Sequence, residues 1–266
     1  MIKSCFFTAL LLVGILTLGC YEPRVGCLDL VATNYDASAD EMCDECCSYP
    51  SLKIGIKHSW EDRVFVLKDT FVNNLGDSFI VISQNFFLGG IELGNAEGGA
   101  ITLISKNIYY WNDGRTKEIA TDFKLVTGTL SEVTINKFRD ESSISYLKFG
   151  PGPDESYNGV DTLRLPTGSD LAIAAGMRTK NNTYFCYKAK IIAGQALKDT
   201  LDISFEGAWR FQKNFNPHLP LSPGKDLKTE IKISYDQWFK DIAFDDKNPT
   251  SIGNAMKNNA PLAFVQ

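Results

Sequence analysis

Apolar and polar side chains alternate with a period of two along most of the chain from residue 51 onward. The stretch 52–58 reads LKIGIKH, the pattern of a strand with one face buried and the other wet. Further alternating or short apolar runs fall at 63–68, 78–93, 101–111, 123–126, 132–138, 145–149, 162–165, 183–192, 200–205 and 228–235. Turn residues such as Asn112-Asp113-Gly114 separate them. Many short strands divided by turn signals predict an all-β domain, a sandwich or a barrel. Helical periodicity is scarce. Its best stretch is 249–257, where Asn248 is placed to cap a helix and Pro249 suits the first turn.

Ahead of residue 51 the pattern changes twice. Lys3 is followed by a fourteen-residue apolar run from Cys5 to Leu18. A helix needs about 20 apolar residues to cross a bilayer, so the run fits the core of an export signal instead. It ends in Leu16-Thr17-Leu18-Gly19-Cys20, which resembles the lipobox of bacterial lipoproteins, with Leu18 bulkier than the residue usual there. This resemblance implies a signal peptide over 1–19 and acyl chains such as palmitate on Cys20, attaching the protein to a membrane without spanning it. An ordinary secretory signal cut nearby is the plainer alternative. Tyr21, where sorting patterns can carry Asp, points to the outer membrane; the periplasmic and outward sides both stay open.

The next stretch, 20–50, carries seven acids against Arg24 alone. Its centre reads GCLDLVATNYDASADEMCDECCSY. An exported chain meets an oxidising compartment, so Cys27, Cys43, Cys46 and Cys47 are expected to form two disulfides rather than a zinc site. Three pairings are open, with a bond between adjacent Cys46 and Cys47 disfavoured by strain. Asn34, Asp36, Ser38 and Asp40 set oxygen atoms at every second residue, like the front of a calcium loop but without its central glycine. Calcium at Asn34, Asp36 and Asp40 stands against a merely solvated acidic tether. The expected organisation is therefore signal 1–19, a Cys/Asp-rich tether over 20–50, and one β domain over 51–266.

Within 51–266 acids and bases balance, and without a basic stripe nucleic-acid binding is disfavoured. The chain holds two histidines, His58 and His218, and no G-x-S-x-G, so a hydrolase triad has little support. Gly150-Pro151-Gly152-Pro153 lacks the lysine and amide donors of a phosphate loop and reads as a rigid turn. Asp154-Glu155 and Asp245-Asp246 read as solvated loop acids, and an enzyme is the least supported class. Trp209 and Trp238, with Tyr109, Tyr110, Tyr146, Tyr157, Tyr184 and Tyr187, could stack on sugars, although such residues are more often core or rim. His218, in Asn-Pro-His-Leu-Pro, reads as loop. Cys186 alternates within Tyr184-Phe185-Cys186-Tyr187 and reads as a buried thiol.

Two resemblances add to this. Gly26, Cys27, Asp29, Ala32, Asn34, Tyr35, Asp36, Asp40, Cys47 and Tyr49 match a short Cys/Asp motif of exported Bacteroidetes proteins. The body is similar to the MbnP-like domain. The landmarks, in order, are a strand ending at His58, Gly76-x-x-Phe79 leading to Asn85-Phe86-Phe87-Leu88, then Leu147 to Gly152, a strand near 177–193, Trp238-Phe239-Lys240, Pro249, Ile252 and Asn259. That resemblance narrows the fold to an antiparallel β-sandwich of the immunoglobulin-like kind and implies a non-catalytic protein of the cell envelope. Some members bind copper through histidines and an oxidised tryptophan, beside a di-haem peroxidase-like partner. By position, His58 takes the place of the first-strand histidine, with Trp60 or Trp111 as neighbours. The later His-x-Gly is replaced by Phe205-Glu206-Gly207, and Met-x-Trp by Met177-Arg178-Thr179. The implied copper set is incomplete, and a lone strand histidine is more often structural. A surface glycan- or nutrient-binding lipoprotein of the same architecture is the alternative.

Overall fold

The structure, a computed structural model, describes residues 21–166, 168–172, 176–194 and 197–264. The expected signal 1–19 and Cys20 lie outside the described residues. Two short strands come first, β1 (Val25–Gly26) and β2 (Glu41–Met42), paired in parallel. The body follows with β3 (Ser51–Trp60), β4 (Arg63–Val64), β5 (Thr70–Val72), β6 (Ser78–Asn95), β7 (Ala100–Ile101) and β8 (Lys106–Tyr110). Next come β9 (Thr116–Ala120), β10 (Lys124–Thr127), β11 (Glu132–Lys137) and β12 (Ile144–Pro151). The last strands are β13 (Phe185–Ala193), β14 (Asp199–Glu206), β15 (Phe211–Leu219) and β16 (Leu227–Ser234), followed by helices α1 (Tyr235–Trp238) and α2 (Pro249–Phe264).

The expected sandwich forms. One sheet runs β14-β13-β6-β12-β15, with β5, β7 and β10 also pairing to β6; the other runs β11-β3-β16, with β4 on β3. Pairing in the larger sheet is antiparallel. The smaller sheet contains a departure: β16 lies parallel to β3, from Leu227 opposite Leu52 to Ser234 opposite Ser59. On β3, Leu52, Ile54, Ile56, His58 and Trp60 face inward and are buried, as the alternation requires.

The two apolar runs seen at 78–93 are one strand, β6. Phe86, Phe87 and Leu88 are buried in succession because β6 is covered on both faces. Phe86 and Leu88 join the core between the sheets, whereas Phe87 joins a separate aromatic cluster with Tyr109, Trp111, Phe123, Tyr157 and Tyr184. Past Leu88 the strand meets the residues just after β12 at backbone contact, and β12 in turn meets the β14–β15 connection. A Cβ on Gly89 would sit 2.5 Å from the Gly152 carbonyl, and one on Gly150 would overlap the Trp209 carbonyl.

Some expected elements change. The run 162–165 is a short 3₁₀ turn over Thr162–Arg164, with the Asp161 side chain accepting from the Leu163 N–H. The helix expected over 249–257 continues to Phe264, with Asn248 Oδ1 accepting the Thr250 and Ser251 N–H groups as its cap. His218 is not in a loop; it lies exposed on β15, a strand the alternation did not flag.

The 21–50 segment, expected as a Cys/Asp-rich tether, is folded onto the body. Cys27 and Cys47 are joined by a disulfide. Asp29, its side chain 7% exposed, accepts from Tyr49 Oη (2.9 Å) and pairs with Arg139 Nη2 (2.8 Å) beyond the segment. Gly224, in the loop before β16, donates its N–H to the Val31 carbonyl (3.3 Å).

Candidate functional site

His58 points from β3 into the sandwich and is 7% exposed. Its Nε2 lies 3.0 Å from the Leu130 carbonyl and its Nδ1 2.9 Å from the Tyr235 hydroxyl. A carbonyl only accepts, so Nε2 carries the proton and Nδ1 accepts from the Tyr235 O–H. The Tyr235 oxygen accepts from Gln84 Nε2 (2.6 Å), which also donates to the Gly128 carbonyl (3.0 Å), and Gln84 Oε1 accepts from the Tyr187 O–H (3.1 Å). Four side chains from β3, α1, β6 and β13 thus form one directed chain across the sandwich. Burial holds the His58 pKa below the usual histidine value, partly opposed by the Leu130 bond. Tyr235 stacks on Phe65 at 3.8 Å, and burial pushes its hydroxyl pKa well up.

This geometry does not fit a copper ligand. A metal takes a ring nitrogen's lone pair; here one nitrogen bears a proton and the other accepts a hydrogen bond. Trp60 is packed among Phe71 (4.7 Å) and Phe79 (5.5 Å), and Trp111 lies in the other aromatic cluster. Among the described residues no group of three or more His, Cys, Asp or Glu side chains could hold a metal ion. A cleft of about 610 Å³ does open beside His58, lined by Ile56, Phe65, Val64, Val66, Lys57 and Arg63 among others, but both ring nitrogens of His58 are already engaged in hydrogen bonds.

The oxygen atoms expected for calcium are spent separately. Asn34 Oδ1 accepts the Ser48 N–H (2.7 Å) while its Nδ2 donates to the Cys46 carbonyl (2.8 Å). Asp36 Oδ1 accepts the N–H and hydroxyl of Ser38, which lower its pKa. Asp40 Oδ2 accepts the Arg24 N–H (3.0 Å), and a bond from the Tyr21 hydroxyl lowers its pKa. The residues that carry the motif resemblance are thus structural ties of a small folded unit: a disulfide, an Asx turn and side-chain clamps on backbone.

Two of the four motif-region cysteines remain thiols, Cys43 half-buried and Cys46 exposed, so one of the two expected disulfides is formed. Cys186 is fully buried, as its alternation suggested, and burial pushes its thiol pKa up. Of the aromatic residues considered for sugars, Trp238, Tyr109, Tyr157, Tyr184 and Tyr187 are buried. Trp238 donates its Nε1–H to the Met256 carbonyl (3.1 Å). Trp209, Tyr110 and Tyr146 keep an exposed part, with Arg164 stacked 3.9 Å over Tyr110 and Glu92 accepting from the Tyr146 hydroxyl. Trp209 covers Gly207 at the rim of a polar cleft of about 230 Å³ lined by Glu155, Asn158, Thr183, Glu206 and Lys257. Gln84, Tyr235 and Leu130 were not anticipated. A glutamine in an apolar strand run, Ser83-Gln84-Asn85, was the available signal.

The strand pairing defines the class: an antiparallel β-sandwich with one parallel seam, a C-terminal helix packed on it, and a disulfide-closed N-terminal segment. No protein-family model matches the chain, and no curated protein matches it in sequence. Among solved structures, MbnP from Methylosinus trichosporium is similar over 71% of this chain and 76% of its own, at 9% identity and a TM-score of 0.45.

Proposed function

We propose that this chain is a non-catalytic lipoprotein of the cell envelope, anchored to the outer membrane by acyl chains on Cys20, with the sandwich as a binding module. The observation that supports it most is the Cys27–Cys47 disulfide, formed just after Gly19-Cys20, because disulfides belong to oxidising compartments. The anchor then leads directly into a folded, body-docked segment. The test is mass analysis of the N-terminal peptide and detergent partitioning of the full-length protein. Wild type enters the detergent phase with an acylated N-terminal Cys20, and Cys20→Ser stays aqueous. Cleavage elsewhere, or partitioning unchanged in Cys20→Ser, removes the lipoprotein reading. The metal-handling role beside a di-haem redox partner needs ligands other than His58 in its folded state. Copper titration of wild type and His58→Ala should therefore give equal binding.

Glycan binding is the second reading, supported by the half-exposed Trp209 at the edge of the polar cleft. An indole face beside carboxylate, amide and hydroxyl groups suits a sugar. A glycan array on wild type and Trp209→Ala tests it. Equal signals from the two proteins remove it.

A further inference from the structure

The thiols of Cys43 and Cys46 meet in one turn. The Cys43 N–H donates to the Gly26 carbonyl (2.9 Å), fixing the start of the turn to β1. The Cys46 N–H donates to Cys43 Sγ (3.2 Å), and Cys46 Sγ–H donates to the Cys43 carbonyl (3.0 Å). Asp44 and Glu45 lie between them, and the Asp44 carbonyl accepts the Cys47 N–H (3.3 Å). The two sulfurs differ in access: Cys46 is exposed and Cys43 half-buried. The neighbouring disulfide is shielded on one side, since Cys27 is only 2% exposed.

We propose that Cys43 and Cys46 form a redox-addressable pair that exchanges with the disulfide of another molecule, while Cys27–Cys47 serves as the permanent staple. Cys46 Sγ, as thiolate, attacks one sulfur of the oxidant's disulfide and expels the other as a thiolate. Cys43 Sγ then attacks Cys46 Sγ in the mixed disulfide and expels the second thiolate. The protons lost by the two cysteines go to the two leaving thiolates. The pair gives up two electrons and gains a Cys43–Cys46 bond, and the oxidant's disulfide is reduced to two thiols.

Loop length separates the two roles. Cys27–Cys47 closes a loop with a sequence separation of 20, whereas a Cys43–Cys46 bond would close a turn with only Asp44 and Glu45 between. A short loop removes far less freedom from the unfolded chain. The small pair can therefore cycle while the larger loop, with Asn34, Asp29 and Tyr49, keeps the segment folded. The hydrogen bond to Cys43, with burial and the charge of nearby groups including Asp44, raises the Cys46 pKa. Exchange should therefore quicken as the pH rises toward that of the thiol. This goes beyond the lipoprotein reading and does not depend on the anchor.

The test is differential alkylation and peptide mass mapping of the purified full-length protein across reduced and oxidised glutathione mixtures. Cys43 and Cys46 are expected to lose alkylation together, with a single midpoint, and to appear as one cross-linked peptide. Cys27–Cys47 persists throughout, and Cys186 reacts only after denaturation. In Cys43→Ser, Cys46 should hold a trapped glutathione adduct; in Cys46→Ser, the buried side of the pair should take up much less. Alkylation of both thiols unchanged up to pure oxidised glutathione overturns the proposal. So does a cross-link from either thiol to Cys27 or Cys47, or the absence of an adduct in Cys43→Ser.

Discussion

The Tyr235 hydroxyl sits 2.9 Å from Nδ1 of His58 and donates its proton to that nitrogen. It does so because Leu130 offers only an acceptor to Nε2 and Gln84 offers only a donor to the Tyr235 oxygen. Each group on the path has one consistent role, from the Tyr187 O–H to the Leu130 carbonyl. Tyr235→Phe keeps the ring against Phe65 and removes one hydroxyl. It leaves His58 Nδ1 and a Gln84 N–H without these partners at a buried site. A loss of about 1–3 kcal/mol is expected, the cost of unpaired buried polar groups, read as a lower urea midpoint at unchanged slope.

The same ring makes stability depend on pH. Burial keeps the His58 pKa depressed in the fold, while in the unfolded chain it returns to about 6.5. Below that value the unfolded chain binds more protons than the folded one. The contribution is complete above about pH 6.5 and is lost as pH falls toward the depressed value. In His58→Asn the difference in urea midpoint between about pH 8 and about pH 5.5 should shrink, a window chosen to lie above most carboxylate titrations. A slope equal to wild type would show that another group titrates there.

Asp29 and Arg139 form an unequal pair, the carboxylate 7% exposed and the guanidinium 57% exposed. Asp29→Ala strands the Tyr49 hydroxyl and the Val31 N–H, which Asp29 Oδ1 accepts at 3.1 Å. It should cost about 1–3 kcal/mol. Arg139→Ala removes a cation that is mostly in water, a loss of about 1 kcal/mol or less. Limited trypsin cleavage at Arg24 is the readout, fast in Asp29→Ala and near wild type in Arg139→Ala.

Gly150→Ala places a methyl group into the Trp209 carbonyl where β12 meets the β14–β15 connection. Backbone must move on one side or the other. A loss above about 3 kcal/mol is expected, at the upper end of overpacking costs, seen as a fall in melting temperature. Gly76→Ala is a useful contrast, because space there is open and the penalty comes from its positive φ alone.

Local pattern made most of the sandwich legible. Alternation at 52–58 located β3, and runs at 183–192 and 200–205 located β13 and β14 within a residue or two. Asn248 announced its helix. β15 escaped notice because its partly buried positions are Phe211, Lys213, Phe215 and Leu219, with a lysine breaking the apolar row and three exposed residues before Leu219. The 162–165 run misled because Leu163 lies in a 3₁₀ turn capped by Asp161, and Leu163 stays 87% exposed. At the candidate site His58 was visible but its environment was not. Tyr235 is 177 residues away and Gln84 is on another sheet. The motif residues were readable as a group, yet oxygen spacing alone could not tell ligands from clamps, since that depends on which backbone groups fold back onto them.

The parallel seam of β3 with β16 imposes an order on folding. Ser51 and Asp226 at its start are 175 residues apart, so nearly the whole body must be available before the seam can close. Until then β3 has an open edge, and Leu52, Ile54 and Ile56 lie on a sheet short of one strand. Such long-range closure is slow, and an open edge invites pairing with other chains. The folding chain is thus most vulnerable until residues 227–234 reach β3, and a helper that shields β3 over that interval would raise the yield of folded protein.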